Sequence, residues 1–332
     1  MTEAAEAPQG RAAMKRRVFV GGAISGPALA AQTAPVRAAR PTGGGIPTRK
    51  FGKTGVDLTI VGQAAGRFPL CTFEDAVAVT RRAYDLGINY FDNAHVYWDG
   101  RSEEVYGAAL AGVRKDVFLT SKAMDHTRDG ARKQLEESLR RLKTDHLDLW
   151  QIHAVGEMEE VDRIFAPGGA IEAFEAAKKE GKCRFIGFTG HRDPAVHMEM
   201  MKRYDRFDTI LMPLHIADPG YLSFERGPLR EAVKHGLGIQ AMKTTANAKL
   251  LQSFSVGECL RYALTLPIHA ATVGCTTVGQ IEDDVRIARE FKPLSDTVMA
   301  SLRQRADRLK GPGLEDWKRD TERASLHVYN GG

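Results

Sequence analysis

The sequence predicts a (β/α)8 barrel, and three observations predict it. Short apolar runs alternate with amphipathic stretches from residue 57 onward. Eight such strand and helix units fit into about 240 residues, the size of one barrel. No run is followed by the Gly-x-Gly-x-x-Gly turn of a doubly wound dinucleotide sheet, which disfavours that open-sheet alternative.

The strand candidates are Leu58–Gly62, Ile88–Asp92, Val117–Ser121, Leu147–Ile152, Arg184–Thr189, Thr209–Leu214, Leu237–Met242 and Ala271–Cys275. Runs this short, apolar and rich in β-branched or aromatic residues suit strands buried on both faces. Between them, residues 74–86, 103–111, 129–142, 169–180, 194–204, 227–235, 254–265 and 279–290 carry apolar residues at helical spacing. Capping residues such as Asp129, and glycines at 87, 181 and 236, mark their ends. Residues 295–332 read as a helix and a tail laid over the barrel.

With 332 residues, 43% hydrophobic and 27% charged, the chain has the composition of an ordinary globular protein with a sizeable core. Its net charge of +5 does not indicate a nucleic-acid partner: Arg11, Lys15, Arg16 and Arg17 against Glu3 and Glu6 place +2 of it in residues 1–30, leaving +3. Lys15-Arg16-Arg17-Val18-Phe19 precedes the modest apolar run Val20–Ala30, which ends in Ala-x-Ala and is too short and glycine-rich for a stable membrane span. The Arg16-Arg17 pair resembles a twin-arginine export signal, which implies the twin-arginine machinery as a partner and a periplasmic or otherwise exported protein. The alternative is an unstructured basic tail on a cytoplasmic protein, and Met14 offers an alternative start. The expected organisation is a signal over 1–34, a linker over 35–47, the barrel over 48–310 and a tail over 311–332. Cys71, Cys183, Cys259 and Cys275 lie far apart with no metal-ligand spacing, so no metal is expected and buried free thiols are.

In such a barrel the active site forms at the carboxyl ends of the strands, and the polar residues there converge. The second strand ends in Asp92 with Tyr97 on its loop, the third in Lys122, and the fourth in His153. Singly, each has a plain reading: a turn-capping acid, a lid tyrosine, a rim lysine, a packing histidine. Together they have one chemical rationale. A phenol is a poor acid at neutral pH until a neighbouring cation stabilises its phenolate. Lys122 would supply that cation, Asp92 would hold it, and His153 would aim a carbonyl at Tyr97.

These residues are the point at which the chain resembles the aldo-keto reductases, over about residues 48–310. Gly87-Ile88-Asn89-Tyr90-Phe91-Asp92-Asn93-Ala94-His95-Val96-Tyr97 with Ser102-Glu103-Glu104 matches that family's first signature. The resemblance implies hydride transfer between a nicotinamide cofactor and a carbonyl or alcohol, with Tyr97, Lys122, Asp92 and His153 as catalytic tetrad. It also implies a dinucleotide extended across the barrel mouth. Thr189-Gly190-His191 stands where the family usually holds the carboxamide with Ser-Asn, and Met212-Pro213-Leu214-His215 stands where it often has Gln. Lys243-Thr244-Thr245 falls at the pyrophosphate position, where the lysine suits a phosphate and a rim lysine is the alternative. Cys275, Thr276, Thr277, Gln280, Asp283 and Asp284 fall in the adenosine segment, with Gly274 and Gln280 where relatives commonly carry cations. The hydroxyls and amides near Val278 remain for phosphate, and NADP(H) is favoured over NAD(H). Trp98, His126 and His215 are candidate substrate-pocket residues, with Tyr90 and Tyr221, and Trp98 is the foremost because it adjoins Tyr97. Two other readings stay open: a cofactor-binding sensor or accessory subunit without turnover, and a lyase or isomerase using Tyr97 and Lys122 without net redox change.

Overall fold

The computed structural model describes residues 45–318. The expected signal, most of the linker and residues 319–332 lie outside the described residues. The architecture is a (β/α)8 barrel. Its first strands, β1 (Thr48–Lys50) and β2 (Asp57–Thr59), form an antiparallel hairpin outside the barrel. The eight barrel strands are β3 (Val61–Ala64), β4 (Tyr90–Asp92), β5 (Phe118–Ala123), β6 (Leu147–Ile152), β7 (Cys183–Thr189), β8 (Thr209–Pro213), β9 (Gly238–Met242) and β10 (Ala270–Val273). All neighbours are parallel, and β10 closes on β3. The run expected as one strand over Leu58–Gly62 is therefore two elements. Ile60, whose carbonyl accepts from Ala271 N at 2.9 Å, joins a hairpin strand to a barrel strand.

The hairpin plugs the amino-terminal end of the barrel. Phe51 packs with Leu58, Tyr90, Phe118 and Leu149 in a separate apolar cluster, its ring edge-on to Phe118 at 5.8 Å. Gly52 lies so close to the Leu237–Gly238 backbone that a Cβ would sit 2.5 Å from it. Closing this end with packed rings leaves the carboxyl ends of the strands as the open mouth.

The helices that cover the strands are α1 (Phe73–Asp85), α2 (Arg101–Ala109), α3 (Arg128–Leu142), α4 (Met158–Phe165), α5 (Ala170–Lys179), α6 (Pro194–Arg203), α7 (Pro228–Lys234), α8 (Val256–Thr265), α9 (Val278–Arg289) and α10 (Asp296–Ala306). Thr72 caps α1 by accepting from Asp75 N at 3.1 Å, and Gly87, at φ 99°, takes the left-handed conformation that turns the chain into β4. Burial of one face holds each helix down: Trp150 of β6 stacks on Phe174 of α5 with centroids 3.6 Å apart. Helix α4 falls outside the stretches expected from the sequence, although Met158, Val161, Ile164 and Phe165 recur at helical spacing, and Glu157 starts it with a capping box.

Past α10, residues 311–318 pack onto the barrel. Trp317 and Lys318 are buried, and the Lys318 ammonium lies 2.9 Å from Asp218, beside Glu315, and 2.8 Å from the Tyr221 carbonyl. All four cysteines are free; three are buried and Cys71 is half-buried. Among the described residues no helix is long and apolar enough to cross a membrane.

Candidate active site

Strand β4 ends in Asp92 and the adjacent β5 carries Lys122 near its carboxyl end, so parallel pairing brings an acid and an amine together at the mouth. Lys122 Nζ donates to Asp92 Oδ2 at 2.7 Å and to the Asn93 carbonyl at 2.6 Å. Both side chains are almost wholly cut off from solvent. Burial pulls the Lys122 ammonium below the ordinary lysine value and pushes Asp92 above the ordinary aspartate value, while each partner holds the other ionised. Tyr90, two residues before Asp92, turns its hydroxyl to Asp92 Oδ1 at 3.4 Å and has its own pKa raised well above 10 by burial. It is therefore a core residue beneath the site rather than part of a substrate pocket.

Tyr97 opens a short turn, Tyr97–Gly100, in which Trp98 and Asp99 take left-handed φ values of 50° and 51°. A tryptophan in that conformation costs on the order of 1 kcal/mol or more. The Arg101 guanidinium lies 4.6 Å from the Trp98 ring and helps to fix it. The turn points the Tyr97 ring to 5.1 Å from Lys122 Nζ and 5.6 Å from the His153 ring, which it meets at 77°. His153 follows β6, and its backbone N donates to Ala123 O at 2.9 Å. Burial and the Lys122 charge pull its pKa well below 6.5, so the imidazole is neutral.

A cavity of about 740 Å³ opens beside Tyr97 and Asp92. Of the residues read from sequence, Lys243, Cys275, Thr276, Gln280, Asp283 and Asp284 also line it. Lys243, at φ 55°, is pulled down to about 7 by burial and by the charge of Arg67. Neither Lys243 nor Arg67 has a carboxylate within salt-bridge distance among the described residues; Arg67 bonds only Asn247 Oδ1, at 3.1 Å. Two unneutralised cations in one cavity favour an anionic ligand.

Arg67 carries no motif and is missed by sequence reasoning. Gly274, where a cation was expected from relatives, makes room for it: a Cβ there would lie 2.7 Å from Arg67 Cγ. The cation thus reaches the eighth strand from the first βα loop, and only the closed barrel reveals this. Asp284 is raised to about 6 by burial, and Cys275 Sγ lies 3.3 Å from its Oδ2. Gln280 folds back to cap α9: its side-chain oxygen accepts from Thr276 N at 2.7 Å and Thr277 N at 3.3 Å, so those amides are already engaged.

Other residues lie off the cavity wall. Thr189 Oγ1 accepts from Ala154 N at 3.0 Å. Gly190 admits no side chain, since a Cβ would sit 2.3 Å from the Val155 carbonyl. This explains the missing amide. His191 is lowered to about 3 by burial and by Lys243, and is neutral. His126, also buried, sits 4.0 Å from Glu160. His215 is not placed to meet a substrate: it is fully buried, 3.1 Å from Glu315, with Trp317 across it at 5.9 Å. The docked segment 311–318 takes that space. Tyr221 is likewise engaged, through its carbonyl, with Lys318.

Comparison with known proteins places this geometry. A family model described as the aldo/keto reductase family matches residues 66–258. An L-galactose dehydrogenase of Arabidopsis thaliana is 28% identical over 290 residues, covering 75% of this chain and 90% of that protein. The Bacillus subtilis oxidoreductase YqkF, itself uncharacterized, is 34% identical over 183 residues, 51% of this chain and 56% of its own length. A Klebsiella pneumoniae aldo-keto reductase solved in complex with NADPH shares the fold at a TM-score of 0.65 and 23% identity, over 78% of this chain and 95% of that chain. The holo form of the Bacillus halodurans aldo-keto reductase AKR11C1 does so at 0.67 and 24%, over 82% and 99%.

The buried ion pair generates a stability prediction. Asp92→Ala strands a charged lysine in the core and is expected to destabilise the fold by about 3–5 kcal/mol, whereas Asp92→Asn with Lys122→Met together recovers most of the loss. Urea unfolding of the three proteins measures this; equal losses in the single and double variants would contradict it.

Proposed function

We propose, from the premise that the chain belongs to the aldo/keto reductase family, that Tyr97 is its general acid and base and that the cavity beside it holds NADP(H) in preference to NAD(H). The protein is an NAD(P)H-dependent oxidoreductase that interconverts a carbonyl and an alcohol. The observation that carries the residue assignment is the position of the Tyr97 ring between the buried Lys122 ammonium and the neutral His153 ring.

When bound, the nicotinamide dinucleotide supplies or accepts the hydride. Everything else is done by the chain. His153, uncharged, hydrogen-bonds the substrate oxygen and directs it to the Tyr97 hydroxyl. Tyr97 gives its proton to that oxygen in reduction and takes it back in oxidation. Lys122 stabilises the phenolate, and Asp92 keeps Lys122 charged and fixed. Trp98 and His126 are proposed to border the substrate, an aldehyde, ketone or alcohol.

The cavity suits the cofactor in charge: Lys243 and Arg67 meet phosphate together with Thr276, and Thr277, whose hydroxyl accepts from Gln280 N at 3.3 Å, adjoins them at the start of α9. Asp283 and Asp284, with Cys275, border the adenine end, and Gln280 holds the loop between. Thr189, Gly190 and His191 approach the nicotinamide end through backbone and hydroxyl groups. Residues 1–34, with Arg16-Arg17, are proposed to direct twin-arginine export of the folded holoenzyme.

Tyr97→Phe should lower aldehyde reduction by about 10²–10⁴-fold while cofactor binding, followed by fluorescence quenching, stays within twofold. A Phe variant with near-normal turnover would remove Tyr97 as the donor. Affinity for NADPH should fall as pH rises through about 7, because the cation that meets the phosphate is then lost from the free enzyme. Lys243→Met should flatten that dependence, and an unflattened profile would place Lys243 elsewhere. Replacing Arg16 and Arg17 by Lys should retain the protein in the cytoplasm, as read by cell fractionation; unchanged export would rule out the twin-arginine route.

A further inference from the structure

We propose that Glu103 is a positioning residue for the proton donor: a second buried carboxylate, behind Asp92, that helps hold the Lys122 ammonium charged and fixes the loop bearing Tyr97. The inference rests on the reading of Tyr97 as the acid.

Glu103 lies in the first turn of α2 and its side chain has no exposure to solvent. A carboxylate buried this completely costs several kcal/mol unless its environment uses the charge. Its partners lead to the catalytic loop and strand. Ser121, which immediately precedes Lys122 on β5, donates its hydroxyl to Glu103 Oε1 at 2.5 Å. Arg141 of α3 approaches Oε2 at 3.3 Å and also reaches the His95 carbonyl at 3.5 Å. His95 Nε2 is 2.7 Å from Glu137, which lies 3.9 Å from Arg141. Gly100 leaves the space for Arg141, since a Cβ there would overlap the guanidinium at 2.3 Å. From the other side, Asn93 Nδ2 donates to the Ser102 carbonyl at 2.8 Å while its own carbonyl accepts from Lys122. Residues 93–100 are thus tied to α2 and α3 at the point where Glu103 sits.

The charged and titratable groups around the Tyr97–Lys122 pair are Asp92 and Tyr90 from β4, Glu103 and Tyr106 from α2, His153 after β6 with His126 and His191 beyond it, Arg141 from α3 with its partners Glu137 and His95, and, in the cavity that Tyr97 lines, Lys243 after β9 and Arg67 after β3. Tyr90 and Tyr106 remain neutral phenols and His153 and His191 remain neutral, while Asp92, Lys243 and Arg67 are common to every variant compared, so differences between variants report Glu103 and Arg141. Asp92 and Glu103 both raise Lys122 against the burial that lowers it. Removing one of two carboxylates makes loss of the first proton from the coupled pair easier. Reduction needs Tyr97 protonated beside a charged Lys122, so its alkaline limit then moves to lower pH.

Glu103→Gln keeps the shape and an acceptor for Ser121 while deleting the charge. The alkaline limb of kcat for NADPH-dependent reduction of an aromatic aldehyde should move down by on the order of one pH unit. Glu103→Asp should restore most of that shift. Arg141→Met, which removes the compensating cation, should move the limb upward. Independently of turnover, ultraviolet difference titration of the apo protein, each form against its own Tyr97→Phe counterpart, should show the Tyr97 phenol titrating lower in Glu103→Gln and higher in Arg141→Met. Opposite shifts in the two variants support the proposal. Limbs and phenol titrations that coincide with wild type, or that move in the same direction in both, overturn it and leave Glu103 a packing residue. If the wild type itself does not reduce the aldehyde, the reading of function fails, while the apo titration still decides the inference about Glu103.

Discussion

The structure at the barrel mouth depends on the burial of one ammonium group. Lys122 has no contact with solvent, so its charge must be met by protein atoms, and the nearest are Asp92 and the Asn93 carbonyl. That requirement fixes an acid at the end of β4, a strand register that sets Asp92 opposite Thr120, two residues before Lys122, and a loop whose backbone turns back toward β5. Low dielectric strengthens each of these contacts and makes the loss of any one expensive. The same cation lies beneath the Tyr97 ring and helps to keep His153 uncharged. The ionised state of Asp92 and the neutral state of His153 are therefore both favoured by a single buried charge.

The neighbouring cavity shows the complementary arrangement. Around Lys122 the protein supplies its own counter-charge, whereas among the described residues no carboxylate pairs directly with Lys243 or Arg67, although Asp316 acts on Lys243 from farther off. Burial lowers both, and the charge of Arg67 adds to it at Lys243, which falls to about 7. A site that leaves two cations without a direct carboxylate partner favours an anionic ligand. Gly274 and Arg67 are complementary: the side chain absent from one strand leaves the space that one from another loop fills.

The carboxyl-terminal segment closes the opposite side of the mouth. Lys318, buried between Asp218 and Glu315, anchors residues 311–318. The anchor brings the Trp317 ring to 5.1 Å from Lys243 Nζ and 5.9 Å from the His215 ring. Two lysines from distant parts of the chain, Lys122 and Lys318, are thus each held in the interior by oxygen acceptors. One lies beneath the Tyr97 ring, and the other fastens the carboxyl-terminal segment.

The fold and the convergence of four polar side chains at the mouth were legible in the sequence because both rest on local signals. Apolar runs of strand length alternate with helical spacing, and in a parallel barrel every strand delivers its last polar residue to the same end. Asp92, Lys122 and His153 could be read from strand ends, and Tyr97 from the loop after one of them, for that reason. The hairpin split at Ile60, the removal of His215 from the mouth and the position of Arg67 could not. Each depends on contacts between residues far apart in sequence: Ile60 on Ala271, His215 on Glu315, Arg67 on Gly274. Periodicity and spacing record which face of an element is buried, and that much the sequence determined by itself. Which distant side chain fills a given space, and which charge is left without a partner, only the tertiary structure decided, because both follow from closure of the barrel.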